Sequence, residues 1–218
     1  MTDYIRELPF ETAEFTLSAD NMSFTFLQPS DADAVLDSVP ESAYTKDRFL
    51  PYWAENWPSA APFFSLLHRQ NIRPASTVLD LGTGLGILAT ALSAKGVFIV
   101  GLDISPDSCQ FAAFNMRRNN EVARVVCADW RAFPFNCRFD LIVASDILYE
   151  ERWIPVILDA LDLLLQSNGC AWIADPCRRF WVPFKNAATA RQYSIRTLHH
   201  EPASSSGKIE IIELRKMT

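Results

Sequence analysis

Glycine is scarce in this sequence, with seven in 218 residues, yet three of the seven, Gly82, Gly84 and Gly86, fall within five positions. No apolar run reaches the roughly 18 residues that a membrane-spanning helix needs. The opening stretch MTDYIRELPF has neither the basic start nor the apolar core of a secretory leader. A cytoplasmic protein with no membrane partner is therefore expected. The five cysteines (Cys109, Cys127, Cys137, Cys170 and Cys177) are odd in number and show no Cys-x-x-Cys spacing, which argues against a disulfide framework and against a zinc site. They read as thiols of a reducing compartment. The three histidines, His68, His199 and His200, lack the spacing of a metal centre or a catalytic triad, so no metal is expected. An excess of positive charge is also missing. A net charge of −6 with the signs interspersed disfavours a nucleic acid and favours a protein or small-molecule partner.

What is present is enough apolar material for one sizeable core, 49% of the residues, and hence one α/β domain, expected to be a monomer, with an N-terminal elaboration. Residues 1–48 are expected to form that extension and residues 49–218 the main domain. Short alternating stretches, Glu14 to Leu17 and Ser23 to Leu27, flank a turn-like Ala19-Asp20-Asn21 and predict a hairpin, with a short helix over Asp31 to Val39. From Ser76 onward strand and helix signals alternate: strand 77–81, helix 85–94, strand 97–102, helix 106–118, then strands near 122–127 and 139–145. Such alternation predicts a parallel sheet covered on both faces. Ser105-Pro106 reads as a helix start. The periodic run from Trp153 to Leu165 predicts a long amphipathic helix, with Gly169 at its exit and a strand over Cys170 to Ala174. Helix 178–190, strand 193–198, a turn at Ser204 to Gly207 and strand 208–214 follow. Two strands joined by so short a turn must end the sheet as an antiparallel hairpin.

The glycines close the run Val78 to Gly86 (VLDLGTGLG), where an apolar strand stops and a helix-like stretch follows. Glycines there let backbone N–H groups approach a ligand, and the next helix adds its free N-terminal donors. A dinucleotide fingerprint would need glycine at position 87, which is Ile87. Asp80, two places before the first glycine, would repel a pyrophosphate but suits a cationic ligand such as S-adenosylmethionine. Three further sites fall where strands end at the carboxyl edge, the edge on which open α/β sheets bind ligands. Asp103 can accept from both ribose hydroxyls. At Asp129-Trp130 the carboxylate or its neighbouring amide can reach an adenine amino group, with the indole as a stacking face. Ser145-Asp146-Ile147-Leu148-Tyr149 sets an acid and a tyrosine three apart, facing one reaction centre if a helical turn begins at once. Upstream, the segment FLPYWAENWPSAAP from Phe49 reads as the entrance to the main domain, where Trp53 and Trp57 can wall a methylated ammonium.

The glycine run resembles motif I of the seven-β-strand methyltransferases, and SDILY resembles the D-x-x-Y motif of a group that includes many protein lysine methyltransferases. PYWAENWP and Asp175-Pro176-Cys177-Arg178 are similar to segments of the enzymes that methylate lysines of the electron transfer flavoprotein β subunit. The resemblance spans roughly residues 50 to 185, with Cys177 standing where glycine is expected. It implies a Rossmann-like, mostly parallel seven-stranded sheet with a C-terminal antiparallel hairpin. S-adenosylmethionine is the implied cofactor, leaving as S-adenosylhomocysteine, with Trp57, Asp80, Gly82, Thr83, Gly84, Gly86, Asp103, Ile104, Asp129, Trp130 and Ser145 around it. Asp146 and Tyr149 are the implied catalytic pair, with Trp53 and Tyr149 on the acceptor. Asp146 would orient an amine and accept its proton through water, with the direct base left open. A lysine of a protein is the first expected acceptor, and a small amine or a pyridine such as nicotinamide the alternative. The adenine N6 signature, Asn/Asp-Pro-Pro-aromatic, is missing at Ser145 to Tyr149. Ile87 and Asp80 count against a NAD-dependent oxidoreductase, and the intact Asp146 and Tyr149 against a non-catalytic module.

Overall fold

The computed structural model describes residues 8–42, 50–204 and 207–217. The expected boundary at 48–49, the start of the aromatic segment at Phe49 and the turn centre at Ser205 and Ser206 lie outside the described residues. Strands β1 (Thr12–Ala19) and β2 (Met22–Pro29) form the N-terminal hairpin about Asp20-Asn21, with Asp20 at φ +51°. Helix α1 (Ala32–Asp37) starts where the Asp31 carboxylate accepts from the N–H groups of Asp33 and Ala34, a side-chain cap of the usual kind.

The main sheet comprises β3 (Thr77–Leu81), β4 (Phe98–Asp103), β5 (Val125–Cys127), β6 (Phe139–Ser145), β7 (Leu165–Asp175), β8 (Tyr193–Ser204) and β9 (Gly207–Lys216). Their order is β5-β4-β3-β6-β7-β9-β8, parallel as far as β7 and antiparallel at the β7–β9–β8 end. Helices α2 (Ala60–Arg69), α3 (Ile87–Ser93) and α4 (Pro106–Arg118) cover one face, and α5 (Trp153–Leu164) and α6 (Trp181–Ala190) the other. Alternation along the strands divides the core accordingly. Val78, Leu141 and Val143 pack with Phe63, Phe64 and Phe111, whereas Leu79, Leu81 and Ile142 pack with Leu158, Leu161 and Phe184.

Two amide side chains one helical turn apart join the hairpin to this body. Asn115 on α4 accepts from Leu27 N–H at 2.8 Å and donates to Leu27 O at 2.9 Å, and Asn119 makes the same pair of bonds with Thr25. A helix face at i, i+4 thereby satisfies alternate residues of a strand edge, which would otherwise expose unpaired backbone groups.

Several expected boundaries move. Gly169 does not mark the exit from α5. It lies inside β7, where pairing jumps from Phe139–Leu165 to Leu141–Cys170, and a Cβ there would sit 3.0 Å from the Phe139 carbonyl oxygen. Close backbone approach at a bulge, not helix termination, explains this glycine. Helix α6 starts at Trp181 rather than 178, because Cys177 has φ +55° and the Arg178 N–H is drawn to the Asp175 carboxylate at 2.7 Å. The same left-handed φ accounts for the expectation of glycine at position 177. Strand β5 is confined to residues 125–127.

The chain leaves β5 on one side of β3 and re-enters the sheet at β6 on the other. This reversal leaves a crevice at the carboxyl ends of β3 and β6, where ligands bind in open α/β folds.

Candidate active site

At the end of β3 the chain passes through Gly82, Gly84 and Gly86 with φ of +75°, +52° and +78°, all in the left-handed region that side chains rarely adopt. Asp80, 1% exposed, accepts from the Thr83 hydroxyl at 2.7 Å, and none of the described salt bridges reaches it. Burial without a counter-charge pushes its carboxyl up to about 7, with nearby Asp103 adding to the rise.

Asp103, at the end of β4, is also buried, which raises its carboxyl above the ordinary range. Its two oxygens accept from Gly84 N–H and Ser105 N–H, both at 3.0 Å. The Ser108 hydroxyl and the Ile104 N–H also favour its charged form, against the burial that raises it. Ile104 beside it is exposed at the cleft.

Asp129 and Trp130 both line the cleft, and the protein itself already engages each of them. Arg131 donates through Nε at 3.0 and 2.9 Å and through its backbone N–H at 2.8 Å, so the Asp129 carboxylate is paired and its pKa lowered by those bonds. Trp130 is 8% exposed. Its edge fills the space that a Cβ on Gly82 would need, with Cζ2 2.9 Å from that position, and its ring meets Trp153 edge-on at 5.5 Å. It is a floor under the glycine loop more than an open stacking face.

Asp146 follows β6 at φ +60°, held by its N–H to the Ala174 carbonyl at 3.0 Å. Its Oδ2 accepts from Ser145 Oγ at 2.8 Å and Ser59 N at 3.2 Å, and its Oδ1 from Ser59 Oγ at 3.2 Å and an Arg178 Nη2 at 3.0 Å. Ser59 is the residue that opens α2, so the carboxylate also meets the positive end of that helix. Burial still pushes the Asp146 carboxyl up, with Arg178 opposing. Tyr149 lies 4.2 Å from Tyr52 ring to ring, and burial raises its phenol so that it stays protonated.

The two tryptophans stand at different ends of the cleft. Trp53 is buried between Phe10 and Phe111, with its carbonyl facing Gly84, at the glycine-loop end of the cleft. Trp57 lies beside Asp146, its Nε1 donating to the Tyr52 carbonyl and its ring under the Arg178 guanidinium at 5.1 Å. Burial of the short 3₁₀ turn Tyr52–Ala54 decides this, since it commits Trp53 to the core.

An open cleft of about 1130 Å³ gathers Trp53, Trp57, Asp80, Gly82, Thr83, Gly84, Asp103, Ile104, Asp129, Trp130, Ser145, Asp146 and Tyr149. Gly86 is the exception. A Cβ there would meet Ala112 Cα at 2.9 Å, so this glycine lets α3 and α4 approach and is not a cleft residue. Sequence reasoning passed over Ser59, Tyr52 and Arg178 as site residues. Their signals were weak: a serine after Pro58, a tyrosine in an aromatic run, and an arginine two residues after a proline. Among the described residues no group of three His, Cys, Asp or Glu is placed to hold a metal ion, and no helix is long and apolar enough to cross a membrane.

A model of the methyltransferase domain matches residues 72–212, from before β3 to the middle of β9. The chain belongs to the methyltransferase domain family. Among curated relatives of this chain, the electron transfer flavoprotein beta subunit lysine methyltransferase of Rattus norvegicus is 31% identical over 137 residues, 59% of this chain and 51% of that one. The ubiquinone biosynthesis O-methyltransferase of Bradyrhizobium diazoefficiens is 26% identical over 121 residues, 56% and 47% of the two chains. The chain thus spans about half the length of these curated relatives. A solved ribosomal protein L11 methylase from Lactobacillus delbrueckii subsp. bulgaricus superposes with a TM-score of 0.61 at 24% identity, covering 75% of this chain and 81% of that one. The methyltransferase domain therefore has the seven-stranded class I fold, with a hairpin added before it.

Proposed function

We infer that this protein is an S-adenosylmethionine-dependent N-methyltransferase whose acceptor is a lysine side chain of a protein. The observation that carries the cofactor is Asp80, a buried carboxylate with no described salt bridge, beneath a loop of three left-handed glycines. The cleft is lined by six acids, Glu55, Asp80, Asp103, Asp129, Asp146 and Glu150, against two arginines, Arg131 and Arg152. That balance repels a pyrophosphate and suits a ligand carrying an ammonium and a sulfonium. Asp80 and the loop from Gly82 to Gly84 would hold the cofactor's amino-acid end, Asp103 its ribose and Ile104 its base, with Trp130 supporting the glycine loop from below. When bound, S-adenosylmethionine supplies an electrophilic methyl group.

The chain's own residues must align the acceptor and exclude water. Tyr52, Trp57 and Tyr149 are aromatic walls around the Asp146 carboxylate, a set that attracts an alkylammonium through charge and ring quadrupole. Tyr149, protonated, can donate to or wall the nitrogen. Asp146 orients the amine and can take its proton through water. An acid with aromatic walls supports an amine acceptor, and the name of the rat relative supports lysine among amines. Incubating the protein and tritiated cofactor with cell lysate is expected to label a protein band whose tritium is recovered as methyl-lysine on hydrolysis. Label found only in small molecules would overturn the lysine acceptor in favour of a small amine or pyridine.

Asp80 also sets a pH dependence. Its folded pKa of about 7 exceeds the unfolded value of 3.8. The stability it contributes to the free protein is therefore complete below 3.8 and is lost as pH rises through about 7. Cofactor binding runs the other way, because the ammonium prefers the ionised carboxylate. The affinity for S-adenosylhomocysteine is expected to fall about tenfold from pH 8 to pH 6, with proton release on binding near pH 7. Calorimetry in buffers of different ionisation enthalpy measures both, and a flat affinity across that range would remove Asp80 from the binding account.

A further inference from the structure

The four contacts on Asp146 use all of the roughly four acceptor positions of a carboxylate. Three come from groups that cannot leave: a backbone N–H and two short serine hydroxyls held by the start of α2 and the end of β6. The fourth is a guanidinium on a long flexible stem whose side chain is 26% exposed. Arg178 also reaches the fully buried Asp175 with Nη1 at 3.3 Å and lies over Trp57 at 5.1 Å. In this arrangement a cation of the protein itself, paired with two acids and stacked on an indole, fills the place an acceptor ammonium would take. The recess of about 380 Å³ bounded by Tyr52, Trp57, Asp146, Tyr149 and Arg178 adjoins it.

We propose that Arg178 is the resident cation of the acceptor site and that an alkylammonium acceptor binds by exchanging with it on Asp146. This rests on the amine-acceptor reading above and adds a selection rule. A neutral acceptor has no means of displacing the guanidinium, whereas a primary ammonium brings the charge that Asp146 requires. As the Arg178 guanidinium swings outward its backbone N–H stays on the Asp175 carboxylate at 2.7 Å, so the exchange does not leave that buried group without a donor. Arg178 is thus a specificity-determining residue that acts through Asp146.

The test uses the cofactor-free full chain and n-butylammonium as probe, with n-butanol as the neutral control. In the wild type, titration with n-butylammonium is expected to shift the Arg178 Nε–H resonance in ¹⁵N spectra, and n-butanol is expected to leave it unmoved. In Arg178→Ala, which leaves Asp146 facing the recess without its guanidinium, the probe is expected to bind about tenfold more tightly than in the wild type. Arg178→Lys should restore the wild-type affinity, and adding Asp146→Asn to Arg178→Ala should abolish the gain. Arg178→Gln, closer in shape, replaces the alanine variant if circular dichroism shows that the latter is unfolded. Unchanged probe affinity in a folded Arg178 variant, or a wild-type Arg178 resonance that ignores the probe, would overturn the exchange. Binding of S-adenosylhomocysteine in the same samples keeps that failure distinct from failure of the methyltransferase reading.

Discussion

Replacing Asp146 with asparagine is expected to lower turnover by about 10² to 10⁴-fold, the range for loss of a positioned acid–base group, while the affinity for S-adenosylhomocysteine stays within about threefold. The separation follows from geometry. The end of the cleft proposed to take the cofactor is built on Asp80, Asp103 and the glycine loop, and Asp146 is bound instead to Ser59, Ser145 and Arg178. Asparagine preserves the shape and can still accept from Ser59, so the fold around α2 is retained. Breaking a buried ion pair at one end usually costs about 3 to 5 kcal/mol. Here Arg178 is partly solvated and keeps Asp175, so the expected loss is nearer 1 kcal/mol. Single-turnover rates with labelled cofactor, beside urea denaturation, measure the two quantities. A variant turning over within threefold of the wild type would remove Asp146 from the mechanism.

The second large effect concerns stability. Gly86→Ala must place a Cβ 2.9 Å from the Ala112 Cα and 3.1 Å from its carbonyl oxygen, at φ +78°. Neither backbone atom can move aside without shifting α4. Left-handed backbone costs an L-residue about 1 to 2 kcal/mol and overpacking about 1 to 3, so a loss of about 2 to 5 kcal/mol is expected. Gly84→Ala is the control. Its φ is +52°, but the nearest atom to its added Cβ is the Trp53 carbonyl oxygen at 4.0 Å, so only the backbone cost of about 1 to 2 kcal/mol applies. Urea midpoints with unchanged slopes would report both. Equal losses at the two positions would mean that the α3–α4 contact does not constrain Gly86.

These contrasts indicate which parts of the molecule can be read along the chain. The strand–helix alternation from Ser76, the Ser105-Pro106 helix start and the closing antiparallel hairpin were all legible, because each follows from periodicity or turn chemistry within a few residues. Gly169 and the start of α6 were misread. In both places contacts between distant segments decide: carbonyls of β6 against Gly169, and the Asp175 carboxylate turning the chain at a left-handed Cys177. Trp53 and Trp57 share one short motif, and no local signal distinguished the one that would be buried against Phe111 from the one that would stand beside Asp146.

The sequence by itself determined the glycine turn, the acids at the strand ends and the layered α/β architecture, since these depend on side-chain period and backbone conformational preference. Only the tertiary structure decided which of those acids carry a partner. Asp146 is paired by Arg178 and by Ser59 from 87 residues away, whereas Asp80 is reached by none of the described salt bridges. Charge pairing and desolvation depend on distance through space and on exclusion of water. Neither exists until the sheet has brought its carboxyl edge together.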